Sequence, residues 1–475
     1  MGGGLLQLVA YGAQDVYLTG NPQITFFKVA YRRHTNFALE AIEQTFNGTS
    51  AFGSRVTCQI TRNGDLINRI YFVGTLTNEN TKTEAEAAKF SGGLALVPYF
   101  GLKLLKTIEL EIGGQRIDKH YSEWLYIWNE LSLPAGKRDG YKLMVGGDKY
   151  NRSILLEAKQ SYSLYVPLEF WFCRNVGLAL PLIALQYHEV KINIEFESLS
   201  NMVDKQKNYS DRAFIAKDNA ATPALLSLEN AINTNANGDT SKLTLTTAAL
   251  WVDYIFLDTD ERRRFAQLSH EYLIEQLQFT GQEAVTSDVG QKTKLNFNHP
   301  CKELIWFVSN DYTTNKNKSW FNFTTKADIG DTALATNSAI VKAVAQTNYN
   351  YLPEILEPSN PIKSAKLVLN GNDRFYERPG RYFNLVQPYQ HHENIPTNAG
   401  INVYSFALKP EEHQPSGTLN MSRIDTAVLN LSFEAKTGNG LGVNYNPTLS
   451  TLHVYAVNYN VLRILSGMGG LAYSN

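Results

Sequence analysis

The chain has 475 residues, of which 43% are hydrophobic and 19% charged, and its formal net charge at pH 7 is −1. This length accommodates two or three domains, each with its own core. The near-zero charge argues against a protein that neutralises nucleic acid through a basic arm or patch, so no direct contact with nucleic acid is expected. The three cysteines are widely spaced, which argues against a disulfide framework or a zinc knuckle.

Residues 1–26 are predicted to form an N-terminal arm. The sequence begins with three glycines after Met1, and a Gly20-Asn21-Pro22 turn precedes an apolar stretch that we expect to dock on a neighbouring surface. The first ten residues lack the pattern of a signal peptide, and no later stretch is long and apolar enough to predict a membrane-spanning helix.

Residues 27–258 are predicted to form a first all-β domain. Large apolar or aromatic residues recur at every second position, the spacing of a strand with one face in a core. Eight strands are predicted, at 37–46, 54–62, 66–76, 103–112, 163–172, 180–187, 189–197 and 249–258, with short helices at 118–129 and 154–158. A charged, helix-prone connector at 259–267 follows.

Residues 268–475 are predicted to form a second domain of the same kind. Its eight strands are expected at 271–280, 292–298, 303–309, 363–370, 402–408, 417–422, 425–434 and 450–459, followed by a turn at 460–465 and a tail apolar enough to pack. The second domain repeats motifs of the first in the same order. The matches are Ile42-Glu43-Gln44 with Ile274-Glu275-Gln276, LEIGG at 110–114 with LVLNG at 367–371, KINIEF at 191–196 with VLNLSF at 428–433, and WVDYIFL at 251–257 with LHVYAVN at 452–458.

Short antiparallel strands separated by Gly, Pro and Asn turns predict an all-β fold made of two consecutive eight-stranded jelly rolls. Successive strands run in opposite directions, so loops that follow odd-numbered strands emerge at the same end. The long polar loops at 77–102, 198–248 and 310–362 follow third or seventh strands. They are therefore expected at one end of the molecule, with the arm at the other.

Several motifs together resemble the major capsid proteins of large icosahedral double-stranded DNA viruses, most closely those of algal, chlorella-type viruses. They are GAQDVYLTGNPQITFFK at 12–28, YRRHTNF at 31–37, IGGQRIDKH at 112–120, GLALPLIALQYHEV at 177–190, WVDYIFLD at 251–258 and NVLRILSGMGG at 460–470. The resemblance covers almost the whole chain and fails mainly in the long loops.

The resemblance implies a structural protein that is not an enzyme. It implies a double jelly roll that forms homotrimeric, pseudo-hexagonal capsomers, which tile the icosahedral shell of a virion assembled in the host cytoplasm. The implied partners are neighbouring capsomers, minor capsid and vertex proteins, and an inner viral membrane reached through the inward face.

No catalytic, cofactor or metal site is predicted. His391-His392-Glu393 has ligand-type side chains but no third ligand at a supporting spacing, so we interpret it as a loop cluster. Asp258 is expected to cap the connector helix. Arg262, Arg263 and Arg264 are expected to pair with nearby carboxylates or to cap the C-terminus of a helix. His188 and His270 are expected to be hydrogen-bonded structural residues.

Seven Asn-x-Ser/Thr sequences occur, and three of them fall in the long loops. Asn208, Asn317 and Asn322 are therefore the candidate glycosylation sites of a glycoprotein. The alternative function is a carbohydrate-binding or carbohydrate-processing β-sandwich, because jelly rolls also serve lectins and enzymes. Such a protein should have an aromatic platform or a close carboxylate pair, and the sequence offers no clear case of either.

Overall fold

The computed structural model of the chain describes most residues from 33 to 473 and part of the N-terminal arm. The described residues are 10, 12–24, 26, 33–81, 94–147, 154–203, 239–287, 289–311, 314, 318–325, 360–435 and 445–473. The α-helices among them are α1 Val16–Thr19, α2 Phe100–Leu104, α3 Ser122–Ser132, α4 Arg138–Met144, α5 Trp171–Arg174, α6 Leu199–Met202, α7 Thr259–Gln267 and α8 Gln387–His391, and a π-helical turn spans Tyr382–Val386. None of these helices is both long and apolar enough to span a membrane.

Two main antiparallel sheets make up most of the first half of the chain. Its strands are β1 Phe37–Thr45, β2 Arg55–Gln59, β3 Leu66–Asn78, β4 Leu94–Leu96, β5 Leu105–Ile112, β6 Gln115–Tyr121, β7 Ile154–Leu156, β8 Ser161–Pro167, β9 Leu180–Pro181, β10 Val190–Phe196 and β11 Leu243–Leu257. One main sheet has the order β1-β11-β3-β8, the other has the order β2-β10-β5-β6, and β4 and β7 form a separate two-stranded sheet. The rings of Phe72 on β3 and Phe196 on β10 lie 5.7 Å apart, so the two sheets face each other across an aromatic core.

The second half repeats this arrangement. Its strands are β12 His270–Phe279, β13 Glu283–Ala284, β14 Gln291–Lys294, β15 Pro300–Asn310, β16 Ile362–Leu369, β17 Asn372–Asp373, β18 Arg378–Pro379, β19 Asn402–Ser405, β20 Leu419–Asn420, β21 Ala427–Phe433, β22 Ser450–Leu465 and β23 Met468–Leu471. The sheet orders are β12-β22-β15-β19 and β14-β21-β16-β17.

Counting only the eight principal strands of each half, both halves have one sheet in the order 1-8-3-6 and one in the order 2-7-4-5. This is the strand order of a jelly roll, so the predicted double jelly roll is confirmed. We refer to the two sheets of each half as the 1-8-3-6 sheet and the 2-7-4-5 sheet.

The internal repeat has a direct structural basis. The seventh strands β10 and β21 bury Ile192 and Ile194, and Leu429 and Leu431, at alternating positions, as the sequence pattern predicts. The hairpins between the fourth and fifth strands also match. The two turn residues in each have positive φ, at 58° and 83° for Gly113-Gly114 and at 48° and 80° for Asn370-Gly371. Positive φ at both positions is typical of the two-residue turn that suits the right-handed twist of a hairpin.

In each half the prediction missed the fifth strand of the structure, and the strand that it gave as the sixth is wrong. In the first half only Leu180–Pro181 of the predicted 180–187 strand is extended, and Gln115–Tyr121 forms β6 where a helix was predicted from residue 118. The predicted helix at 154–158 is also wrong, because Ile154–Leu156 pairs with β4. Periodicity did not reveal β6 because this strand buries the polar Asp118 and His120, whereas a strand pattern is recognised from apolar residues at alternate positions.

Corresponding corrections apply to the second half. Within 417–422 only Leu419–Asn420 is extended, and the fifth strand is the two-residue β17. The predicted strand at 292–298 is the shorter β14. The predicted turn at 460–465 is wrong, because β22 continues to Leu465 and forms a hairpin with β23.

The missed strand changes the position of one connection. Residues 122–160 follow the fifth strand of the first half rather than the fourth, so they emerge at the same end as the loops after the third and seventh strands. The predicted long loops lie largely outside the described residues, at 82–93, 204–238 and 326–359.

Candidate assembly surface

A helix of the first half covers the outer face of the 1-8-3-6 sheet of the second half. Helix α3 follows directly from β6, and Trp124 and Trp128 share one of its faces because residues four apart are neighbours on a helix. The Trp124 ring lies 5.9 Å from Tyr455 of β22, and Tyr121 lies 5.0 Å from Phe279 of β12. We call this contact, of β6 and α3 with β12, β15 and β22, the junction.

Side chains also seal two sheet edges at the junction. Strands β6 and β12 are edge strands of their sheets, and unpaired edge strands are prone to aggregation. The amide Nε2 of Gln276 on β12 donates to the carbonyl of Ile117 on β6, and the backbone N–H of Leu277 donates to Asp118 Oδ1 at 3.1 Å. Asp118 also contacts His120 Nε2 at 2.9 Å. These side chains form hydrogen bonds with the backbone of both edge strands, and the two sheets do not join into one continuous sheet.

Four charged side chains continue the junction. Glu275 on β12 lies 2.7 Å from the ammonium of Lys302 and 3.3 Å from Nη1 of Arg174, which belongs to the first half. The Arg174 guanidinium also stacks 3.7 Å above the Trp128 ring and lies 3.9 Å from Glu169. Lys302 is fully buried and donates to the carbonyl of Pro410 at 2.6 Å. Burial raises the pKa of Glu169, and the positive charge of Arg174 opposes that rise. Buried charges are costly unless paired, so each of these residues depends on the others.

A second buried cluster lies within the second half. His392 contacts Glu303 Oε2 at 3.0 Å through Nε2 and Glu411 Oε1 at 2.7 Å through Nδ1. Burial alone would lower the pKa of His392, but the two carboxylates outweigh it and raise that pKa to about 9. The cluster ties the loop around residue 411 and the end of α8 to strand β15.

The residues predicted to form one loop cluster at 391–393 therefore have different environments. His392 points inward to the two carboxylates, whereas His391 Nδ1 lies 2.9 Å from the carbonyl of Leu408. In the part of the chain that the structure describes, no three His, Cys, Asp or Glu side chains are grouped to hold a metal ion.

The other singled-out polar residues have structural roles. Asp258 caps α7 by accepting from the N–H of Glu261 at 2.9 Å, and Arg262 pairs with Asp65 at 3.0 Å. Arg264 lies 3.8 Å from Glu261. His188 and His270 each contact a backbone carbonyl, at 2.9 Å and 2.8 Å. The interpretations of Asp258, Arg262, Arg264, His188 and His270 are confirmed, whereas among the described residues no carboxylate pairs with Arg263.

Of the three candidate glycosylation sites, Asn208 and Asn317 lie outside the described residues. Asn322 is half-buried, and its Oδ1 accepts from the backbone N–H of Thr324 at 3.1 Å and from its hydroxyl at 2.7 Å. The preceding Phe321 stacks on Tyr126 of α3 with ring centroids 4.9 Å apart. Asn322 therefore borders the junction.

The sequence did not reveal the charged residues of the junction. Glu275 lies within the predicted strand 271–280 and Lys302 directly before the predicted strand 303–309, and the charge of neither residue was interpreted. The only available signal was that Lys302-Glu303 interrupts an otherwise apolar strand, CKELIWFV at 301–308. Charges in such a position indicate partners from another element, because an unpaired buried charge is not tolerated.

Comparisons with known proteins agree across the whole chain. A family model described as the major capsid protein N-terminus matches residues 25–258, and one described as the large eukaryotic DNA virus major capsid protein matches residues 261–470. The major capsid protein of Pyramimonas orientalis virus is 50% identical, and that of Paramecium bursaria Chlorella virus 1 is 46% identical, each over 100% of both chains. The crystal structure of PBCV-1 VP54, fitted into a reconstruction of the virophage Sputnik, matches with a TM-score of 0.71 and 41% identity, over 95% of this chain and 100% of the other.

Proposed function

The chain belongs to the family of major capsid proteins of large eukaryotic DNA viruses, and from this premise we propose that three copies form one pseudo-hexagonal capsomer. The protein is a structural component of the capsid shell and not an enzyme, and it assembles with other copies of itself into capsomers. The carbohydrate-binding alternative is not favoured.

The observation that carries the trimer is the pairing of two jelly rolls of identical strand order through the junction. Three such chains around a three-fold axis present six similar units, and six units approximate a hexagon. A closed three-fold assembly requires two different, complementary surfaces on each chain. In this proposal the folding units are an arm at 1–26, jelly rolls at 27–258 and 268–475, and a connector at 259–267.

Mass photometry and sedimentation of the purified chain test this proposal. We expect a species with three times the 53.3 kDa mass of the chain at micromolar concentration. A stable monomer at that concentration would contradict the proposal. Deleting residues 1–26 should leave the trimer intact and impair assembly of shells, because we expect the arm at the opposite end from the long loops.

The remaining partners follow from the two ends of the capsomer. Neighbouring capsomers meet along their sides, where many weak, repeated contacts add up through multivalency. We propose that the arm end faces inward, toward minor capsid and vertex proteins and an inner viral membrane, and that assembly takes place in the host cytoplasm. Val16, Tyr17, Leu18 and Ile24 of the arm are exposed and apolar, which suits a segment that a partner covers.

Glycans on the protein are proposed for the end with the long loops, at Asn208, Asn317 or Asn322. Glycopeptide mass spectrometry of virions tests this location. A sugar mapped to residues 1–26 or to the short turns at the opposite end would contradict it.

A further inference from the structure

The outer face of the first half's 2-7-4-5 sheet carries paired charges. Asn193 lies between the core residues Ile192 and Ile194 of β10, so its side chain points to this outer face. Residues directly opposite one another on antiparallel strands share a face. The strand registers place three carboxylates around Asn193, and each has a partner: Glu109 with Arg55 at 2.6 Å and Lys119 at 2.8 Å, Glu111 with Asn193 at 3.1 Å, and Glu195 with Lys106 at 2.6 Å. Every carboxylate of this face is thus satisfied within the chain.

The second half has no carboxylate at the three equivalent positions. The residues there are Lys366, Val368 and Ser432. On the second strand, Lys292 and Lys294 occupy the positions that Thr57 and Gln59 hold in the first half. The two copies of the repeat therefore differ in charge on this face, which is balanced in the first half and basic in the second.

The basic side chains of the second half lack sufficient counter-ions. We call Lys292, Lys294 and Lys366 the lysine face. Lys366 pairs with Asp373 at 2.6 Å. Lys292 and Lys294 are exposed, and among the described residues no carboxylate oxygen lies within 4.0 Å of either ammonium group. The lysine face is therefore suited to a negatively charged partner.

The arrangement of the lysine face indicates the chemistry of that partner. Strands β14 and β16 flank β21, so the backbones that carry the lysines are about 10 Å apart. Between the lysines, Val428 and Val368 lie directly opposite each other and are partly exposed. A peptide segment with carboxylates on both sides of an apolar side chain complements this surface in charge and in hydrophobicity.

The same surface is poorly suited to nucleic acid. The outward-facing side chains of β14, β16 and β21 include neither arginine nor an aromatic residue. Arginine forks and aromatic rings are the groups with which proteins usually bind phosphates and stack on bases. An acidic polypeptide therefore fits the lysine face better than a nucleic acid does.

We propose that the lysine face binds an acidic segment of another protein of the capsid shell. The segment places carboxylates against Lys292, Lys294 and Lys366, and an apolar side chain against the two valines. A second copy of this chain does not supply these carboxylates from its own 2-7-4-5 sheets, because one of them presents the same lysines and the other presents carboxylates that are already paired. The inference rests on the proposed binding of other shell proteins and does not depend on the trimer.

Zero-length crosslinking of intact virions tests the contact. A carbodiimide joins a lysine amine to a carboxylate that it touches, and mass spectrometry of digested virions identifies the linked peptides. We expect Lys292 or Lys294 to be linked to an aspartate or glutamate of a different shell protein. The pair Lys106 and Glu195, which lie 2.6 Å apart on the first half's face, is the internal positive control.

The crosslinks distinguish the failure of this site from the failure of the proposed function. If the control pair is linked and the lysine face is linked only to copies of this chain, or to nothing, the proposal is overturned. Links between other parts of this chain and other shell proteins would in that case leave the proposed partners standing.

Peptide binding to the purified chain provides an independent measurement. The probe is a fluorescein-labelled peptide of alternating glutamate and valine. Replacing all three lysines of the lysine face by glutamine should weaken its binding at least about tenfold, because three charge pairs are lost. The matched control removes the same charge at exposed positions elsewhere and should leave binding unchanged. Its substitutions are Lys137→Gln, Lys242→Gln and Arg263→Gln.

Two results of this measurement would contradict the proposal. Equal weakening in the two triple variants would show a general attraction of charges without a site. A single-stranded oligonucleotide that binds the lysine face more tightly than the peptide would assign the surface to nucleic acid. Circular dichroism of both variants checks that each is folded.

Discussion

The two jelly rolls share a strand order but differ in what lies against their 1-8-3-6 sheets. In the second half Phe307 and Tyr455 lie beneath the first half, whereas in the first half Trp251 and Leu39 face outward. The inward-facing residues of both halves are of the same type, with large aliphatic or aromatic side chains. The comparison teaches that the repeat preserved the core and let the outward-facing positions diverge.

The cores also differ in extent. The second half has a separate core around Trp306 and Leu431, whereas the apolar core of the first half continues through the junction to Ile305 and Tyr455. The junction is therefore an extension of the first core rather than a contact between two surfaces that are each complete without the other. The substitutions below test how far the two halves depend on each other.

The largest effect is expected from a charge in the central strands. Ile194→Asp and Leu431→Asp each place an unpaired carboxylate in a core, at a cost of roughly 4 kcal/mol or more. Both should abolish soluble protein, because the halves share the junction. Lys191→Asp, which places the same residue at a partly exposed position of β10, should cost less than about 1 kcal/mol.

Soluble yield and scanning calorimetry measure this effect. If Leu431→Asp leaves the first half folded, with its own thermal transition, then the two cores are independent. A soluble trimeric Ile194→Asp protein would mean that β10 does not face the core.

The next effect compares equivalent glutamates in the two first strands. Glu275→Gln removes the partner of the buried Lys302 and should destabilise the protein by roughly 3 kcal/mol, because an uncompensated buried charge remains. Glu43, its counterpart on β1, is exposed, so Glu43→Gln should cost less than about 0.5 kcal/mol. Chemical denaturation of both variants measures the difference.

A double variant separates charge pairing from packing. Glu275→Leu combined with Lys302→Met should recover most of the stability, since apolar residues of similar volume often replace a buried ion pair without loss. Equal losses for Glu275→Gln and Glu43→Gln would contradict the assignment of the junction as the place where this pair is buried.

A third effect appears in acid, through a histidine on the covered face. His453 lies between Phe307 and Phe279, with ring centroids at 4.6 Å and 5.7 Å. Burial lowers its pKa from 6.5 to about 4, although Glu123 of the first half opposes the shift. His453 therefore binds a proton more readily in the unfolded chain than in the folded chain. The stability that this difference contributes to the folded state is present above pH 6.5 and is lost as the pH falls to 4, at a cost of about 3 kcal/mol.

Thermal unfolding of wild-type protein and of His453→Phe at pH 7 and pH 4.5 tests this effect. The variant should lose less stability in acid than the wild type. His34→Phe, at an exposed position before β1, should leave the acid sensitivity unchanged. The same acid sensitivity in wild type and His453→Phe would show that the covered face does not hold a neutral histidine.

The sequence predicted the fold well because period-two patterns report which side of a strand is buried. Ile192 and Leu429 were recognised as equivalent because cores tolerate few kinds of residue. The fifth strands were not predicted, because their own sequences carry no strand pattern and other parts of the chain stabilise them. Asp118 on β6 is satisfied by Leu277 of the other half, and the two-residue β17 is too short to show any period.

The junction and its charges were beyond sequence reasoning for a related reason. A lysine such as Lys302 is buried only because Glu275 and Pro410 lie beside it, and their sequence separation carries no pattern. In contrast, Asp258 was assigned correctly as a helix cap, since its partner is three residues away. Local interactions were predictable, whereas contacts between residues distant in sequence, within a half or between the halves, were not.

The last effect, in alkali, concerns the second half alone and separates its own stability from that of the junction. The folded state holds the proton of His392 more tightly than the unfolded state, because Glu303 and Glu411 raise its pKa from 6.5 to about 9. This contribution is complete below pH 6.5 and is lost as the pH rises through 9, which should cost about 3 kcal/mol. His392→Gln should be less stable than wild type at pH 7 and nearly equal to it at pH 10. A constant difference between the two proteins from pH 7 to 10 would show that His392 stabilises the loop without its charge.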